Sequence, residues 1–194
     1  MQRILGYIIN MLPYMLLVLP IVILARLLTY KIKHKTKVNF YHEIALSLFI
    51  LFLVGLASQT IIPKTEIDIN LGLKTNQKVF SGINIIPFKM FYDMYREVII
   101  NKNINYFIIN FLGNIVMFIP LGFLISLLWN TKRKNVVLIG FSVSLVIELL
   151  QLLLPRGTDI DDIILNTFGA ILGVLIYVLL NKKYSRMFEK FKEK

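Results

Sequence analysis

The chain has 194 residues, 57% of them apolar and 17% charged, with a net charge of +11 and a mean hydropathy of +0.70. Soluble domains carry about a quarter charged residues and arrange apolar positions in stripes, so an ordinary cytosolic globule is excluded. Cysteine is absent, which excludes disulfides, thiolate metal sites and a thiol nucleophile together.

Five apolar runs follow one another at residues 4–28, 44–62, 106–129, 136–154 and 163–180, each long enough to cross a hydrocarbon core of about 30 Å. The predicted fold is all-α, a polytopic membrane helix bundle forming one domain over residues 1–194. The first run exceeds the apolar core of a signal peptide and no A-x-A-like site follows Ala25, so a retained helix is expected, kinked at Pro13 and Pro20. Residues 63–105 are too polar to cross. Within them Met90, Phe91, Met94, Val98 and Ile99 share one helical face, and Lys89, Asp93, Arg96 and Glu97 occupy much of the other. That spacing predicts an external amphipathic helix at the interface, with Pro87 near its first turn. The tail has Tyr184, Met187, Phe188 and Phe191 on one side and Lys183, Arg186, Lys190 and Lys194 on the other, and predicts a membrane-surface anchor.

Lys- and Arg-rich loops stay on the cytoplasmic side, so charge orients the bundle. With the N-terminus outside and the C-terminus cytoplasmic, Arg26, Lys31, Lys33, Lys35, Lys37, the Lys132–Lys134 loop and the tail place 14 of 22 basic residues inside, against Glu43, Glu189 and Glu193. The whole net charge of +11 then lies at the inner surface. Retention and contact with anionic membrane lipids account for it without nucleic acid as a partner.

Polar residues inside the spans are costly in lipid and so mark function or helix contacts. Asn110 and Asn114, four apart, lie near the outer end of the third span; Glu148 and Gln151, three apart, lie near that of the fourth. Arg156, Asp159, Asp161 and Asp162 follow, and Asn166 sits one turn inside the fifth span. Their common level predicts an outward-facing polar pocket for ligand binding; a hydrogen-bond network that only joins helices is the alternative. Asp161 and Asp162 also suit a helix N-terminus as caps. Gly169 and Gly173 read as a GxxxG packing face. Both histidines, His34 and His42, fall on the cytoplasmic side, and Ser142 and Ser144 read as helix-packing residues, so a Ser/His/Asp arrangement is not expected. Glu148 is the candidate catalytic acid/base, and Asp159, Asp161 and Asp162 are candidate ligands for a divalent cation such as Mg²⁺ or Ca²⁺. Arg156 offers these carboxylates an ion pair instead.

The run Asn84-Ile85-Ile86-Pro87-Phe88, then Asn110-Phe111-Leu112-Gly113-Asn114, Phe118-Ile119-Pro120-Leu121-Gly122-Phe123, Glu148-Leu149-Leu150-Gln151, Arg156, Asp159, Asp161-Asp162, Asn166, Gly169 and Gly173 resembles the VanZ-like family. The resemblance covers roughly the C-terminal two-thirds of the chain, and the first two spans add little to it. It implies an integral bacterial membrane protein related to one associated with resistance to teicoplanin, a lipid-bearing glycopeptide, and carries no settled catalytic assignment. Three functions follow as expectations. The pocket binds a lipid-linked cell-wall precursor or the lipoglycopeptide; or the protein is an enzyme acting on a lipid or polyprenyl headgroup at the outer face; or it is a structural membrane partner.

Overall fold

Backbone groups in a bilayer must be satisfied within the segment, and all five apolar runs do so as helices. A computed structural model describes residues 2–32, 39–62, 66–68, 72–74, 82–154 and 157–193 of the chain. Helix α1 (Gln2–Ile32) continues through Pro13 and Pro20, and α2 (Phe40–Thr60) returns beside it. Strands β1 (Glu66–Asp68) and β2 (Gly72–Lys74) pair antiparallel. A short helix α3 (Lys89–Met94) runs on as a π-helical turn, Tyr95–Ile100. Helix α4 (Ile104–Tyr106), a second π-helical turn (Phe107–Leu112) and α5 (Gly113–Leu128) make one span. Helices α6 (Arg133–Gln151) and α7 (Ile160–Phe188) complete the bundle. The helices match the expected spans in number and order, with α6 and α7 each beginning three residues earlier than predicted and α6 ending three residues earlier, at Gln151. Five helices are long and apolar enough to cross a membrane.

The core is the α5–α7 contact. Gly122 on α5 faces the Ala170 carbonyl, and Gly169 and Gly173 on α7 face the carbonyls of Ile115 and Ile119. Small residues at those points let two backbones touch, the main source of helix association where lipid tails are as apolar as leucine. Leu56, Phe118, Leu121, Ile125, Val136, Ile147 and Val174 fill the space around this seam. Helix α1 packs chiefly on α2, where Met11 and Met15 meet Gly55 and Arg26 bonds Glu43 (2.6 Å).

Two segments outside the spans are positioned by hydrogen bonds. Before α3, Asn84 accepts from Ile160 N–H (3.0 Å) and donates its own N–H to Thr158 (2.9 Å), a one-residue strand pairing with Asp159. Phe88 then takes a left-handed conformation (φ 64°) to start α3. On α3 the expected polar face is present, with Lys89 bonded to Asp93 (2.7 Å). That bond holds the Lys89 ammonium above its ordinary pKa.

Part of the apolar side of the amphipathic tail packs on protein. At Tyr184 (φ −118°, ψ 28°) α7 leaves helical geometry, and the chain folds back under the bundle. Phe188 is buried, stacked on Tyr177 at 5.6 Å and edge-on to Phe123 at 6.1 Å. Asn39 Nδ2 donates to the Lys190 carbonyl (2.6 Å), His42 Nδ1 to that of Phe191 (2.8 Å), and Glu193 N–H to that of Leu128 (3.1 Å). An aromatic slot in protein thus captures Phe188, while Tyr184 and Met187 on the same side stay exposed.

Candidate functional site

At the opposite end, the C-termini of α2 and α6 meet the N-termini of α5 and α7 around a cavity of about 180 Å³. Six of the predicted residues line it: Asn110, Asn114, Glu148, Gln151, Asp162 and Asn166. Asn110 reaches the wall from the π-helical turn, whose extra residue per turn rotates it relative to an ordinary α-helix. Asn114 Nδ2 donates to the Asn110 carbonyl (3.0 Å) and closely to Asp162 Oδ1, which joins α5 to α7 at the cavity edge. Glu148 is 2% exposed, and its Oε2 accepts the main-chain N–H of Asp159 at 2.9 Å. Asn166 donates to the fully buried Ser144 hydroxyl (2.9 Å), so Ser144 is a polar partner as well as a packing residue. Ile108, Ile109, Val116, Met117, Phe118 and Ile147 supply an apolar wall, and Asn110 and the 42%-exposed Val116 mark its open side.

The other predicted site residues are placed differently. Asp159 is the N-cap of α7, accepting from Asp161 N–H (2.9 Å) and Asn84 Nδ2 (2.7 Å). Asp161, 1% exposed, turns away from the cavity: its two oxygens accept Phe88 N–H at 2.6 Å and Met90 N–H at 2.7 Å. The three aspartates expected to share a cation therefore aim at three separate sets of partners. Among the described residues no group of three or more His, Cys, Asp or Glu is placed to hold a metal ion. Arg156 lies outside the described residues, as do Lys33, His34, Lys35 and Lys37.

Helix α2 contributes what the sequence reading passed over. Leu56, Gln59 and Thr60 line the cavity, and Gln151 Nε2 donates to the Thr60 carbonyl (3.0 Å). The signal was present in Ser58-Gln59-Thr60, a polar triplet ending an apolar run at the level of the other polar residues.

Five membrane-length helices, four of which line a cavity of amides and carboxylates, define a multi-pass membrane protein with a polar site at one end. The family model described as VanZ/LLP1 matches residues 49–181, and the chain belongs to that family. It is 39% identical over 80 residues to Protein VanZ of Enterococcus faecium, an alignment covering 37% of this chain and 45% of that protein. The chain thus spans less than half the length of this relative. No solved structure gives a significant match. Helix α1 and the N-terminal part of α2 precede the matched region, which takes in most of the second span.

Proposed function

We propose that the cavity binds the headgroup of a lipid-anchored envelope molecule, either a lipid-linked cell-wall precursor or a lipid-tailed glycopeptide, and lowers the action of teicoplanin-type antibiotics. The observation that carries this reading is the pairing of the two walls. Amide and carboxylate groups suit a hydroxyl- or amide-rich headgroup, and the apolar wall beside Val116 suits the start of a tail. A cavity of about 180 Å³ holds a fragment of a large ligand, being slightly bigger than the ~150 Å³ that accommodates benzene. Binding is favoured over acid/base chemistry because Glu148 already accepts a main-chain N–H and thereby positions the loop before α7. Membership of the VanZ/LLP1 family supports the link to teicoplanin.

Each buried CH₂ of an acyl tail contributes about 0.8 kcal/mol to membrane partitioning, so a tailed drug concentrates at the membrane while an untailed one stays in the wall. Expression is expected to raise tolerance to tailed glycopeptides more than to an untailed one. Glu148→Gln should remove that difference at unchanged membrane expression, because the amide keeps the shape and loses the charge. Equal tolerance to both drugs in cells expressing the unaltered protein would rule the pocket mechanism out.

The same reading places the cavity on the outer face and the basic tail inside. A C-terminal alkaline phosphatase fusion should be inactive and a C-terminal fluorescent fusion bright; phosphatase activity there would reverse the orientation.

A further inference from the structure

We propose that the end of the bundle opposite the polar cavity carries a second site, a cationic cleft that binds the phosphate of an anionic phospholipid headgroup. The cleft, about 270 Å³, lies between the end of α5, the start of α6 and the folded-back tail. Lys132, Arg133 and Lys192 line it together with Trp129 and Tyr177, and none of its lining residues is a carboxylate. Lys132 and Lys192 lie 60 positions apart and meet only because the tail turns at Tyr184. Lys192 Nζ is held in place by Asn130 Oδ1 at 2.7 Å, and its nearest acid, Glu189, is 3.7 Å away and mostly exposed.

The surroundings reinforce the positive charge. Lys132 makes no side-chain cap, the first turn of α6 has no acidic residue, and Lys132, Arg133 and Lys134 all crowd the positive end of that helix dipole. Like charges gathered in this way are stabilised by an anion between them. The abundant anions at this level are lipid phosphates: Trp129 ends a membrane span, and Trp and Tyr are the residues that favour the headgroup layer. A cleft formed by three segments is a discrete site, distinct from the diffuse attraction of the exposed Lys182, Lys183 and Arg186 on the same end.

Trp129 is the only tryptophan and sits in the cleft, so its emission reports occupancy. The full chain in phosphatidylcholine nanodiscs, titrated with rising fractions of phosphatidylglycerol, should show a saturable Trp129 change. Lys132→Gln with Arg133→Gln should weaken it about tenfold or more, since both charges line the cleft and would meet the bound phosphate directly through charge-assisted hydrogen bonds. Lys182→Gln with Arg186→Gln removes the same charge outside the cleft, takes away only diffuse attraction, and should shift the midpoint several-fold less. Circular dichroism of both variants verifies that they fold; their side chains are exposed, so they should. An equal loss in the two variants, or no saturable response in the unaltered protein, overturns the site. The same change from inorganic phosphate in discs without phosphatidylglycerol overturns the lipid assignment.

Discussion

Gly169→Ala should lower the melting temperature in mild detergent far more than Gly113→Ala, and Gly169→Val should leave little folded protein in the membrane. A methyl group at Gly169 would run into the Ile115 carbonyl and the Phe118 side chain. The carbonyl belongs to the backbone of α5, which cannot step aside as a flexible side chain would. Overpacking of this kind costs about 1–3 kcal/mol, sometimes more, against a total stability of about 5–15 kcal/mol. At Gly113 the nearest atom to an added Cβ is 3.6 Å away, and the helical preference of alanine over glycine should make that change neutral or stabilising. Separating α5 from α7 also pulls Asn114 away from Asp162, so any ligand binding should fall with stability. Similar melting points for the two alanine variants would show that the α5–α7 seam is not the dominant contact.

Asp161→Ala should destabilise the protein by about 3–6 kcal/mol, because two hydrogen bonds to a carboxylate contribute about 1.5–3 kcal/mol each. Both partners are main-chain N–H groups at the start of α3, and Phe88 holds a left-handed conformation that this carboxylate helps maintain. Limited proteolysis should therefore cut the variant between residues 82 and 100 well before the unaltered chain. Asp161→Asn should be intermediate, retaining one acceptor and turning a donor toward the other N–H. Unchanged proteolysis in Asp161→Ala would mean that Asn84 and Asp159 hold the segment without it. Asp162→Ala, one residue along, should spare α3 and disturb the cavity edge instead.

Asp161 and Asp162 also show where local sequence information runs out. Neighbours on a helix point about 100° apart, so the two carboxylates had to diverge. Which of them met the cavity depended on how α7 is rotated, and that is decided by Gly169 and Gly173 locking onto the α5 backbone. Ser144 met Asn166 for the same reason, through the facing of two helices whose hydrophobic patterns alone leave their rotation open.

Length, apolarity and spacing along the chain already encode the spans, the helical class and the common level of Asn110, Asn114, Glu148, Gln151, Asp162 and Asn166. A bilayer imposes length and apolarity on every crossing segment, and the helical rise converts position along the chain into depth. Helix packing, by contrast, is what brings Gln59 and Thr60 to the cavity, sets Asp161 against α3, and docks the tail under the bundle at Phe188. These depend on side-chain directions and on contacts between residues far apart in the chain, such as Met90 with Asp161, 71 positions away, and Asn39 with Lys190, 151 positions away, which no local period encodes.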